Sequence, residues 1–185
     1  MANNTVKTTA GSLLLVALVL GAWIYLGADE RKSGGMTLAE AVNLAREGKQ
    51  NEAVEAIKKI IAGMPEQESL EAHLSLGLVY FKGNQHENAL SEFSKSVEIK
   101  KDTPMAYYFM GLIYESKALE SGLSAGASGD LKRKALAQWE SYLEASEKSE
   151  ISRSHRHLGI SREESIQRAQ KHIHILKEEL EYENK

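Results

Sequence analysis

With 185 residues, of which 42% are hydrophobic and 26% charged, the chain is long enough for one folded domain and too apolar to be disordered by composition. Its net charge of -3, with basic residues gathered only in short runs such as Lys58-Lys59, Lys100-Lys101 and Lys132-Arg133-Lys134, gives no extended basic face and argues against a nucleic-acid partner. The absence of cysteine excludes disulfides, thiolate metal sites and covalently attached c-type haem.

Residues 1–7 are a short N-terminal tail carrying Lys7, and residues 8–28 contain no charge. Within them the run from Leu13 to Leu20 is wholly apolar and is followed by Trp23, Ile24, Tyr25 and Leu26. An apolar helix of about 20 residues crosses a bilayer core, which predicts a transmembrane signal-anchor over 8–28. Trp23 and Tyr25 stand at its far end and are predicted to mark the membrane interface, where amphipathic rings favour the headgroup layer. A cleaved signal would need a basic start and small residues around the cut, whereas Leu26-Gly27-Ala28 puts a bulky side chain where a small one is required. Lys7 and the terminal amine nearly balance Arg31 and Lys32, so charge does not set the orientation. The brevity of the tail favours a cytoplasmic N-terminus with the rest of the chain exoplasmic or periplasmic.

After a linker over 29–35, no alternating strand pattern occurs, and the remainder of the chain predicts helices only. Thr37-Leu38-Ala39-Glu40 is a capping box that opens the first of them, because the threonine hydroxyl and the glutamate satisfy otherwise orphan amides. Gly48 interrupts it, and a second helix places Ala53, Ile57 and Ile60 on one face before Pro65 stops it; this helix pair occupies about 36–67. A second pair, over 70–103, carries His73-x-x-Leu76-Gly77-x-x-Tyr80, a turn at Gly83-Asn84, and Ala89-x-x-x-Phe93. Thr103 is predicted to cap the next helix, with Pro104 as its first residue, where a missing amide costs nothing. A third pair, over 104–147, repeats the pattern 34 residues later as Tyr107-x-x-Met110-Gly111-x-x-Tyr114 and then Ala135-x-x-x-Trp139. Gly111 and Ala135 are 24 apart where Gly77 and Ala89 are 12 apart, so extra residues lie between its helices. The small residues of 120–129 predict a flexible loop there, with Asp130 capping the helix that follows. Ser161-Arg162-Glu163-Glu164 opens a last helix over about 161–183, with Ile166, Ala169, His172 or Ile173, and Leu176 to Leu180 at helical spacing.

The period and the apolar-glycine, aromatic and Ala-x-x-x-aromatic signature resemble the tetratricopeptide repeat (TPR) family. The resemblance implies an all-α, right-handed solenoid of about three stacked antiparallel helix pairs, closed by a C-terminal capping helix and here preceded by a membrane anchor. It makes Leu76, Gly77, Tyr80, Ala89 and Phe93, and Met110, Gly111, Tyr114, Ala135 and Trp139, the packing signature. It also implies a concave, partner-binding groove lined by the first helix of each pair, which here carries Leu74, Leu78 and Phe81, then Met105, Tyr108, Leu112 and Glu115. Family members that grip a carboxylate use lysine and asparagine at such positions, so this apolar groove suits an apolar helix or segment instead. The same residues would also fit a core covered by the last helix or by a second copy of the chain.

No nucleophile, acid–base pair or metal signature stands out, so no catalytic residue, metal site or cofactor is expected. The histidines of the C-terminal region, His155, His157, His172 and His174, form the cluster closest to a metal or haem site. His172 and His174 are two apart and point to different helix faces, which favours surface or packing roles over ligation. Taken together, these features predict a single-pass membrane scaffold or accessory subunit binding other protein subunits of a membrane complex. The alternative is an assembly chaperone for exported proteins such as cytochrome, pilus or envelope components, and the least favoured reading is a metal- or haem-binding subunit of an enzyme complex.

Overall fold

The computed structural model describes residues 35–148 and 162–183, and among them every regular element is helical. The helices are α1 (Leu38–Arg46), α2 (Gln50–Ala62), α3 (Leu70–Lys82), α4 (His86–Ile99), α5 (Pro104–Ala118), α6 (Ala125–Lys148) and α7 (Arg162–Glu183), with a short 3-10 turn at Glu66–Glu68. They pack as the pairs α1–α2, α3–α4 and α5–α6; each pair meets the next through its second helix, and α7 lies against α6. No helix among the described residues is long and apolar enough to cross a membrane, and the expected anchor over 8–28, with Trp23 and Tyr25, lies outside the described residues.

Local chemistry sets the helix ends. Glu40 N–H donates to Thr37 Oγ1 at 3.2 Å, and Thr37 N–H donates to Glu40 Oε2 at 2.7 Å, the reciprocal bonds of a capping box. Each turn inside a pair reverses through a single left-handed residue: Gly48 (φ 84°), Asn84 (φ 55°) and Gly122 (φ 90°). In the middle pair Asn84 takes this conformation, which asparagine tolerates, while Gly83 stays at φ -83°. Thr103 stands at the N-cap of α5, but its hydroxyl donates back to the Lys100 carbonyl instead of accepting from the helix. Pro104 is the first helical residue there, as its position predicts.

The segment over 120–129 departs from the expected loop, because α6 already begins at Ala125. Ser124 Oγ accepts from Ala127 N–H at 3.2 Å, and Ser128 Oγ donates to the Ala118 carbonyl at 2.9 Å, tying the new turns to the end of α5. Asp130, expected as the cap, sits inside the helix and pairs with Arg133 at 2.6 Å. Small helix-compatible residues after a serine cap let the insertion extend α6 to 24 residues, against 14 in α4, leaving only a short turn around Gly122.

Inside each of the last two pairs, glycine is a steric requirement. A Cβ placed on Gly77 would stand 2.6 Å from Phe93 Cε1, and one on Gly111 2.9 Å from Trp139 Cε2. Both rings are completely buried, so neither has room to withdraw. Phe93 stacks on Phe109 at 5.7 Å, joining the second pair to the third. Gln50 Nε2 donates to the Val79 carbonyl and Lys82 Nζ to the Ala45 carbonyl at 3.3 Å, joining the first pair to the second.

Between α3 and α4 lies a buried polar contact, His73 Nδ1 to Glu92 Oε2 at 2.6 Å, with Lys95 Nζ donating to Glu92 Oε1 at 2.8 Å. Burial pushes the Glu92 carboxyl up, but the bonds from His73 and Lys95 together outweigh it and hold the group below its ordinary value.

Two predictions follow from this packing. Gly77→Ala should destabilise by about 1–3 kcal/mol through overpacking, whereas Gly126→Ala, which meets nothing within 4 Å, should stabilise by up to about 0.5 kcal/mol in denaturant melts. Because Glu92 is depressed in the folded state, its contribution is present above the ordinary carboxylate range and is lost as pH falls through the lower folded value. Glu92→Gln should therefore be less stable than wild type at neutral pH, with the gap closing in acid; a gap constant between pH 7 and pH 3 would contradict it.

Candidate functional site

The positions that a TPR would turn towards a partner are determined by register. Gly77 precedes Ala89 by the same interval that Ala41 precedes Ala53, so Leu38, Val42 and Ala45 fall in line with Leu74, Leu78 and Phe81 of α3 and with Tyr108, Leu112 and Glu115 of α5. The inner face is thus three rows deep and apolar until it ends at Glu115. The contribution of α1 was missed at the sequence level, although Ala41 in the glycine's place was a sufficient signal for it.

An open groove is not what the structure presents. Leu74 is 5% exposed, Leu78 1%, Met105 6% and Tyr108 3%, and all four belong to the main hydrophobic core. Phe81, Leu112 and Glu115 are half-buried at its margin. Of the two arrangements the sequence allows for these residues, the four buried ones take the covered one. Phe81 leans on Phe109 at 5.1 Å and stacks on His86 at 6.3 Å. Tyr108 is wedged edge-on against Phe109 (5.6 Å), Trp139 (5.1 Å) and Tyr142 (5.6 Å), so its ring fills space that a ligand would need. Burial pushes the Tyr108 hydroxyl up to about 12, opposed by the charge of Arg168 and a hydrogen bond from it.

At the far end of the face, α7 closes the third pair. The His172 imidazole stacks on the Trp139 indole with centroids 4.5 Å apart and planes 13° apart, and its Nδ1 lies 2.9 Å from Glu115 Oε1. Trp139 Nε1 donates to that same oxygen at 2.8 Å. One carboxylate oxygen therefore joins three helices, α5, α6 and α7. Lys132–Glu179 and Lys177–Glu140, both at 3.0 Å, add ion pairs between α6 and α7. Ala169 and Leu176 are buried and Ile166, Ile173 and Leu180 half-buried, which is the face that their spacing predicts. His174 points elsewhere, 3.5 Å from Glu178 and exposed, while His155 and His157 lie outside the described residues. Besides the α1 residues, Arg168 and His172 of α7 reach the inner face without a pattern in the sequence that assigns them to it.

The packing-signature residues occupy the interior of the pairs. Leu76, Ala89, Phe93, Ala135 and Trp139 are at most 1% exposed, Tyr80 and Met110 are buried, and Tyr114 is half-buried beneath the Lys134 ammonium, 5.9 Å from its ring.

No family model matches the chain, and no curated protein matches it. A solved structure does: the crystal structure of MamA superposes with a TM-score of 0.50, covering 100% of this chain and 98% of that one at 20% identity. That degree of likeness speaks for the fold. The fold is a TPR-type helical repeat. Among the described residues, Gly77 against Phe93 and Gly111 against Trp139 are the places where a Cβ would collide with an aromatic ring of the paired helix.

The TPR-type stack ends where α7 is bolted to Glu115, which generates a prediction. His172→Ala, losing the ring stack and the bond to Glu115, should destabilise by about 1 kcal/mol and raise amide exchange along α7 while leaving α3 and α4 protected. His174→Ala should change neither.

Proposed function

We propose that this chain is a membrane-anchored protein-interaction scaffold, an accessory subunit that holds another protein at the membrane surface without catalysing a reaction. The observation that supports it is the apolar inner face of the repeat stack, Leu38, Val42, Leu74, Leu78, Met105, Tyr108 and Leu112, with Glu115 at one end. A partner recognised there must bring apolar side chains of its own, as an amphipathic or apolar helix does, and must take the place of whatever covers the face. Carboxylate capture has no support, because no lysine or asparagine stands in these rows.

The polar groups nearest the face are already committed: Glu115 to Trp139 and His172, and Glu92 to His73 and Lys95. A binding role agrees with that better than an acid–base role, in which a side chain must be free to exchange a proton with a substrate. In the proposed arrangement residues 8–28 cross the bilayer, the repeats lie on the exoplasmic side, and anchoring confines the search for a partner to the membrane surface.

The test is a pull-down in mild detergent from native membranes, comparing wild type with Leu112→Glu at the half-buried margin and with Ser91→Glu on the exposed outer side. Stoichiometric membrane subunits lost by at least about tenfold in Leu112→Glu alone, with circular dichroism unchanged, are expected. A changing set of substoichiometric exported proteins would instead indicate an assembly chaperone. Release of wild type by alkaline extraction would refute the anchor.

A further inference from the structure

Among the described residues five large apolar side chains stay exposed, and four of them, Leu119 (81%), Leu123 (38%), Ile175 (41%) and Tyr182 (82%), belong to one end of the third pair. Helix direction brings them there. α6 starts beyond the turn that ends α5, and the ion pairs Lys132–Glu179 and Lys177–Glu140 set α7 antiparallel to α6. α5 and α7 therefore run the same way, joined at Glu115 and His172, 2.9 Å apart. One turn beyond that contact, α5 reaches Leu119 and α7 reaches Ile175. Tyr182 follows Ile175 by seven residues, two turns along the same side of α7, and Leu123 stands on the connection from Leu119 to α6.

A single exposed apolar residue is ordinary, but a group of them at one end of a fold marks a contact surface. Seating α7 does not call for them, since that helix turns Ala169 and Leu176 into the core and Ile175 and Tyr182 away from it. Charge selects what the surface suits. Here Lys117 pairs with Glu87, Lys132 with Glu179, Arg133 with Asp130 and Lys177 with Glu140, while Lys134 stands over the Tyr114 ring. Glu120, Glu178 and Glu181 are exposed beside the four apolar residues, against Lys171 one turn back from Ile175, so the surplus charge is negative. A two-fold contact between copies of the chain would set these carboxylates against their own equivalents, and a bilayer would set phosphates against them. Large apolar side chains bordered by lysine or arginine satisfy both the apolar residues and the carboxylates.

We propose that Leu119, Leu123, Ile175 and Tyr182 form a second docking site, which takes an amphipathic helix of a protein partner whose apolar side is bordered by lysine or arginine. Ile175 and Tyr182 are about 10 Å apart along α7, the distance between residues i and i+7 of a partner helix laid beside it. Glu120, Glu178 and Glu181 fix the sign of the charge that such a helix carries, and so which apolar helices are admitted. Glu115 separates the site from the apolar rows of the inner face, so the inference goes beyond the scaffold reading and holds whether or not the inner face binds a partner.

The test replaces Tyr182, Leu119 or, as a control on the outer side, Ser91 with the photoreactive residue p-benzoylphenylalanine in the full-length protein. Leu119 and Tyr182 are 81% and 82% exposed, so neither replacement disturbs the core. The protein is irradiated in its native membranes and the cross-linked peptides are sequenced by mass spectrometry. Positions 119 and 182 are expected to capture the same partner segment, absent from the Ser91 control, with apolar residues at helical spacing and lysine or arginine beside them. Its yield should fall by about tenfold in a Glu120→Lys, Glu181→Lys variant and stay unchanged in Glu52→Lys, Glu55→Lys, which reverses two exposed charges on α2. A cross-linked peptide from this chain would make a second copy the occupant, and lipid adducts would make it the bilayer. Either result, a captured segment without basic residues, a yield indifferent to the reversal at Glu120 and Glu181, or no product at either position would overturn the proposal.

Discussion

Everything in this stack depends on two glycines facing two rings. Where Gly77 meets Phe93 and Gly111 meets Trp139, helix backbones approach so closely that one added carbon would collide with a buried aromatic carbon. The contact sets the spacing inside each pair, and that spacing decides what the outward residues of the pair can touch. Phe93 can stack on Phe109 only because the Gly77 notch holds α4 close against α3. The inner face inherits its alignment from the same notches, with Leu38, Leu74 and Tyr108 in one row and Val42, Leu78 and Leu112 in the next.

The third pair shows that the notch, and not the length of the connection, carries this information. Extra residues separate Gly111 from Ala135, yet Trp139 still closes on Gly111 as Phe93 closes on Gly77. The insertion is absorbed at the start of α6, where Ser124 caps and Ser128 ties back to Ala118. Loop closure depends only weakly on length, so a dozen residues added at a turn cost little compared with losing a fully buried tryptophan contact.

The repeat architecture was legible because its constraints are local in sequence: a glycine, an aromatic sixteen or more residues later, and a capping box at Thr37 and Glu40. Features that depend on a choice between near-equal local states were not. A stretch of alanine, serine and glycine serves as loop or as helix start, and the hydrogen bond from Ser128 to Ala118, invisible in the pattern, selects helix. At Gly83-Asn84 composition points to the glycine, but the backbone puts the asparagine in the left-handed state. For the groove positions the pattern left open whether Leu74, Leu78, Tyr108 and Leu112 face a partner or are covered. Apolar periodicity says which side of a helix avoids water, and it does not say whether a neighbour, a distant segment or a partner provides the shelter.

That ambiguity is itself informative about how such a chain behaves. A stack with an apolar inner face cannot leave that face in water without inviting aggregation, so some cover is an obligation of the design. At the third pair the obligation is met by a committed device, one carboxylate oxygen of Glu115 holding Trp139 and His172 together beneath α7. Such a cover is specific and polar at its edge, and removing it would leave the half-buried Glu115 carboxylate with Trp139 Nε1 but without His172. Over the first two pairs the rows are purely aliphatic, Leu38 and Leu74, Val42 and Leu78, with no polar group to select one cover over another. Aliphatic surfaces discriminate by shape and area, and therefore weakly. The chemistry of the rows therefore divides the face: the third pair ties α7 down through the polar Glu115, whereas the corresponding rows of the first two pairs are apolar throughout.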